Sequence, residues 1–98
     1  MKKLEKNFQR DIVNTIKLKF PESIVMKMDA RVKQGIPDLL ILYKDRWAAL
    51  ECKRHKNAHI QPNQKRYVEK MNDMSYASFI YPENKEKIFD ELEQTFRN

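Results

Sequence analysis

The sequence holds one cysteine and one glycine in 98 residues, and no apolar run long enough to span a bilayer. A single cysteine excludes an internal disulfide and a cysteine-based metal cluster. Met1-Lys2-Lys3-Leu4-Glu5 is not followed by the apolar stretch of a signal peptide. The expectation is a soluble, intracellular, cytoplasmic chain with no membrane partner. No internal repeat, linker or low-complexity segment interrupts it, so residues 1–98 read as one domain.

Charge is what the sequence has in quantity. Charged residues make up 35% of it, and 20 Lys and Arg stand against 14 acids, for a net charge of +6. The excess is uneven: residues 1–70 carry 17 basic and 8 acidic residues, while residues 71–98 carry 3 and 6. A basic segment of this kind suits a polyanionic partner such as nucleic acid, although a solvated basic surface has the same composition. The apolar fraction of 41% supplies one core. A chain of this length buries only about two-thirds of its unfolded surface.

The periodicity predicts a helix over 3–19, where Leu4, Phe8, Ile12 and Ile16 recur every four residues and Val13 widens the stripe. Phe20-Pro21 ends it. Strands are predicted over 24–30, 38–43, 47–53 and 78–81. A second helix should open at Pro62 and run to Met74, with Tyr67, Val68, Met71 and Met74 inward. A last helix follows Pro82, with Ile88, Phe89, Leu92 and Phe96 inward. The order is α-β-β-β-α-β-α, an α/β fold with a small mixed β-sheet flanked by helices. Trp47 and the phenylalanines read as core.

Two of these strands carry charge where a buried strand should carry none. Gly35-Ile36-Pro37-Asp38-Leu39-Leu40-Ile41-Leu42 has an acid at its start, and Ala48-Ala49-Leu50-Glu51-Cys52-Lys53-Arg54 has an acid and a lysine two apart. Alternate strand residues share a face, so Glu51 and Lys53 share one while Leu50 and Cys52 share the other. Two carboxylates beside a lysine suit metal-dependent phosphodiester hydrolysis. Mg²⁺ takes one or two carboxylates plus other oxygens, which Asp38, Glu51 and the Cys52 backbone carbonyl would supply. Lys53 would position the attacking water or stabilise charge on the phosphate.

The spacing of Pro37-Asp38 and Glu51-Cys52-Lys53 resembles the motif of the PD-(D/E)XK nuclease superfamily. Gly35-Ile36-Pro37-Asp38-Leu39, Glu51-Cys52-Lys53 and Gln61-Pro62-Asn63-Gln64 together resemble its VRR-NUC branch, of the stand-alone phage or bacterial type. The resemblance covers about residues 4–81 and implies a restriction-endonuclease-like core. It implies an endonuclease dependent on Mg²⁺ or Mn²⁺, acting on DNA, with branched or Holliday-junction DNA favoured. It also implies a homodimer and no small-molecule cofactor. By the same resemblance Gln64 orients Lys53 or the phosphate, and Glu5 matches an acid on the N-terminal helix that could complete the metal shell.

Each of these residues also has a plainer reading. Gln64, at about the third position of its helix, could bond back to the backbone. Glu5 could be a solvated helix residue. His55 and His59 read as DNA contacts or solvated side chains. Lys27, Arg31, Lys33, Arg54, Lys56, Lys65 and Arg66 are phosphate-contact candidates as a group. Two other functions fit the composition: a non-catalytic basic DNA-binding module with a nuclease-like fold, and a subunit of a larger nucleic-acid-processing assembly.

Overall fold

The computed structural model describes residues 2–98, with side chains from Glu5 onward; Leu4 of the predicted helix stripe therefore lies outside the described side chains. The elements are α1 (Lys2–Lys19), β1 (Ile24–Lys27), β2 (Leu39–Tyr43), β3 (Arg46–Cys52), α2 (Pro62–Met74), β4 (Tyr76–Ile80) and α3 (Lys85–Arg97), a short 3₁₀ turn at Pro82–Asn84 leading into α3. The predicted order α-β-β-β-α-β-α holds. No helix among the described residues is long and apolar enough to cross a membrane.

The four strands lie in the order β1-β2-β3-β4. β1–β2, joined by the loop of residues 28–38, and β2–β3, joined by the turn at residues 44–45, are antiparallel, and β3–β4 is parallel, as a helical crossover through α2 requires. The two faces of this mixed sheet are covered unequally. On one face Leu39, Ile41, Leu50 and Cys52 meet Ile12, Val13 and Ile16 of α1 and Ile88, Phe89, Leu92 and Phe96 of α3 in the main core. Phe20, Tyr43 and Phe96 interlock there, Phe20 edge-on to Phe96 with centroids 5.3 Å apart and Tyr43 stacked on Phe96 at 5.0 Å. Arg97 ties the two helices together, donating to the Lys19 carbonyl at 3.0 Å with its guanidinium 4.8 Å from the Phe20 ring centroid.

On the other face α2 sets Val68 and Met71 against Ala49, Ala77, Leu40, Trp47 and Phe79. One helix covers only the β3–β4 half of a four-stranded sheet. Met74, expected inward, is therefore 69% exposed, and Trp47, expected in the core, is half-buried.

The strand limits also shift. β1 ends at Lys27, three residues early, although the Met28 amide still donates to the Asp38 carbonyl at 2.7 Å. Asp29 stops it: its carboxylate accepts the Arg31 backbone N–H at 2.9 Å and bonds the Arg31 guanidinium, which bends the chain. β4 starts at Tyr76, two residues before the expected 78, because parallel pairing with β3 begins at Ala48↔Tyr76 and uses the strand's length. β2 and β3 each sit within one residue of expectation.

Candidate active site

The β2–β3 register pairs Leu39 with Leu50. One residue further on, Asp38 lies opposite Glu51, and both fall on the α2 side of the sheet. Lys53 lies two residues beyond Glu51, its amide bonded to the Ile80 carbonyl at 2.9 Å. Among the described residues Glu51 and Lys53 are the buried charged ones, at 4% and 7% exposure. Their side-chain charges stand 3.8 Å apart.

Gln64, in the first turn of α2, joins them. Its amide nitrogen donates to a Glu51 carboxylate oxygen at 3.0 Å, and its carbonyl oxygen accepts from Lys53 Nζ at 2.9 Å. The same oxygen accepts the Gln61 backbone N–H at 3.0 Å. The helix-capping role and the site role are thus performed by one side chain. An amide suits this because it carries both a donor for the carboxylate and an acceptor for the ammonium and the peptide N–H. Pro62 starts the helix where a missing N–H costs nothing, and Gln64 follows on the inward side of that turn.

Gly35 explains how α2 comes so close. Its φ is +89°, and a Cβ there would meet Asn63 Cβ at 2.5 Å and the Asn63 carbonyl carbon at 2.8 Å. The loop before Asp38 therefore lies directly on the first turn of α2 only because its residue there has no side chain.

Asp38 accepts the Cys52 backbone N–H at 2.9 Å, which fixes one carboxylate oxygen against the end of β3. Burial raises its pKa above the ordinary carboxylate value; that amide and the Lys53 charge oppose the shift, and Glu5 adds to it. Glu51 is pushed up to about 8, first by burial and then by the neighbouring Asp38 charge, with Lys53 acting against both. Two facing carboxylates titrate as a pair, so the direction belongs to both: each resists ionisation. The Cys52 thiol, buried in the main core, is raised as well by burial and by the same acids, which makes it an inert packing group.

The donor chemistry fits a hard divalent cation. Asp38 and Glu51 supply two carboxylates, and the Cys52 carbonyl adjoins them in the chain. Among the described residues no three His, Cys, Asp or Glu side chains come together closely enough to hold a metal, so side-chain ligation rests on the two strand acids. Glu5 is half-buried on α1 and reaches this pair through its charge, raising Asp38 and Glu51. Gln9, one turn on, acts on Asp38 in the opposite sense as a hydrogen-bond donor. It was not among the sequence candidates; its signal was the four-residue spacing from Glu5.

The basic candidates are dispersed. Lys27, Arg31, Lys33, Lys56, Lys65 and Arg66 are exposed, and Arg31 is engaged by Asp29 at 2.9 Å. Arg54 and His55 line a cleft with Asn7 and Asp11 of α1, on the far side of Lys53 from α2. The His55 ring nitrogen Nδ1 accepts the Asn57 amide at 3.1 Å and so shapes its own loop.

A small mixed sheet thus gathers two carboxylates and a lysine at the ends of adjacent strands. No family model and no curated protein matches the sequence. A solved structure described as a "VRR_NUC domain protein" superposes with a TM-score of 0.68 at 18% identity, over 95% of this chain and 88% of that one. The chain therefore has the VRR-NUC fold.

Proposed function

We propose that the protein is a Mg²⁺- or Mn²⁺-dependent DNA endonuclease of the VRR-NUC type. The observation that carries this reading is the bridged pair: a buried glutamate and a buried lysine, joined through one glutamine, with a second carboxylate opposite. Buried ionic groups are costly to a fold, and a small chain that keeps them beside a raised-pKa acid pair has the profile of a reaction site.

In hydrolysis a water oxygen forms a bond to phosphorus while the bond to the leaving ester oxygen breaks. The nucleophile loses a proton and the leaving oxygen gains one. A divalent cation, when bound, would offset charge on the phosphate and favour ionisation of the water. Asp38 and Glu51 would hold it, together with the Cys52 carbonyl. Lys53 has its nitrogen fixed between Glu51 and Gln64, so it meets the phosphate without rearranging. Gln64 holds Lys53 and Glu51 in register and ties both to α2. Glu5 and Gln9 set the charge on Asp38 from the α1 side. Branched DNA is the proposed preferred substrate.

The test is cleavage of a four-way junction beside linear duplex, flap and single-stranded DNA, with Mg²⁺ and with chelator. Asp38→Asn and Glu51→Gln should each abolish cutting while DNA binding persists. Either variant cutting at the wild-type rate would sink the assignment. Equal cutting of all four substrates would remove the branched-DNA preference alone.

A further inference from the structure

The half of the sheet that α2 leaves bare forms a groove of about 600 Å³, within the roughly 300–1,000 Å³ range of small-ligand sites. Its floor is apolar: Leu40 and Leu42 of β2, Trp47 of β3 and Met71 of α2. Its rim is cationic: Lys33 on one side, Arg66 and Lys70 on the other, with no carboxylate in the lining. Tyr67 stands among them, with the Arg66 guanidinium 4.8 Å from its ring centroid. The groove adjoins the candidate active site through two short links in the chain. Ile36, in its wall, is two residues before Asp38, and Tyr67 is three after Gln64.

We infer that this groove binds an unpaired DNA strand leaving the site of cleavage, bases on the apolar floor and phosphates on the rim. The inference rests on the reading of the chain as a DNA-acting protein. Duplex DNA hides its base faces within the stack and offers base edges, sugar and phosphate, which leaves an apolar stacking floor without a partner. An unpaired strand presents both surfaces at once: base faces that stack on aromatic and apolar groups, and a polyanionic backbone. Arg66 over Tyr67 forms a flat cationic platform of the kind bases stack against. A second copy docking through the same face would set its own Lys33, Arg66 and Lys70 against the three rim cations.

The exposed apolar residues Ile24 and Met26 continue this face onto β1. They pair in register with Leu42 and Leu40 and so point the same way. They make self-association the rival occupant, and charge separates the two.

Trp47 is the only tryptophan in the chain, so its emission reports the groove directly. The full chain is titrated with oligothymidylate and, separately, with duplex of equal length, in chelator so that nothing is cut. Saturable quenching by the single strand, at least tenfold tighter than by duplex and weakened by salt, is the expected result. Met74, 69% exposed and lining the groove, takes either charge without a packing cost. Met74→Glu should weaken the strand's apparent affinity about tenfold or more, and Met74→Lys should preserve or improve it. Equal quenching by duplex, or equal effects of the two substitutions, overturns the proposal. So does emission that follows protein concentration and ignores oligonucleotide, with a doubled mass by sedimentation. Mg²⁺-dependent cutting of the four-way junction and of duplex by the wild-type chain is measured in parallel. Quenching without any cutting supports the strand site and removes the nuclease reading; cutting without quenching removes the strand site alone.

Discussion

Glu51 shows how the site was assembled at the cost of the fold. Its carboxyl has an ordinary pKa of 4.5 and is raised to about 8 by burial and by Asp38. The folded chain therefore holds this proton more tightly than the unfolded chain does. The stability that follows is complete below about pH 4.5 and is lost as the pH climbs to about 8. Asp38, raised for the same first reason, adds in the same direction. Thermal unfolding in chelator should show the midpoint falling across that window, and Glu51→Gln should flatten the fall. A midpoint that rises with pH there would contradict the burial argument. Since a cation must displace that proton, Mg²⁺ should raise the unfolding midpoint more at pH 8 than at pH 6, and should leave Glu51→Gln nearly unmoved. Gln64 is the complementary case. Gln64→Ala removes the donor to Glu51 and the acceptor for Lys53 and Gln61. Leaving buried polar groups unpaired costs about 1–3 kcal/mol, readable by denaturant titration. Cleavage should fall by more than that loss of fold accounts for at temperatures where the variant remains folded.

Elements explain why some of this was legible in the sequence and some was not. Asp38, Glu51 and Lys53 stand at strand ends, where a period of two fixes the face once the strand is known, so their convergence could be read from spacing. The inward stripe of α3 could be read from its helical period, because Ile88, Phe89, Leu92 and Phe96 all join the main core. Trp47 and Met74 could not be placed. Their burial depends on how far α2 reaches across the sheet, and no periodicity encodes a helix's lateral position. The early end of β1 was hidden differently, in one aspartate that prefers its neighbour's N–H to the sheet. Gly35 was visible as the lone glycine, but its reason is tertiary, the first turn of α2 lying where a Cβ would be. Gly35→Ala meets both a strained backbone and that contact, so it should cost roughly 1–3 kcal/mol and separate the loop from α2. Hydrogen exchange should speed up at the first turn of α2 while α3 keeps its protection. An unchanged exchange profile would mean that the close approach does not hold the site.

At the scale of the whole molecule the two ends of the charge distribution lie on opposite sides. Of residues 71–98, four of the six acids and all three bases stand on α3, which packs on the face away from α2 and the bridged pair. On the proposed reading the exposed acids Glu86, Asp90 and Glu93 of that helix would keep DNA from the back of the sheet, while Lys56, Lys65 and the groove cations would meet it at the front. If affinity comes from phosphate contacts on the front, it must fall linearly in log–log form with salt, the slope shrinking by about 0.9 for each contact removed. Lys56→Ala, Lys65→Ala and Arg66→Ala, made singly on a chain already inactivated by Glu51→Gln, should each weaken binding and flatten that slope. Neutralising Glu86, Asp90 and Glu93 should raise affinity slightly and leave the slope unchanged, because no new cation meets a phosphate. A steeper slope in that triple variant would place DNA on α3 and would reverse the assignment of front and back.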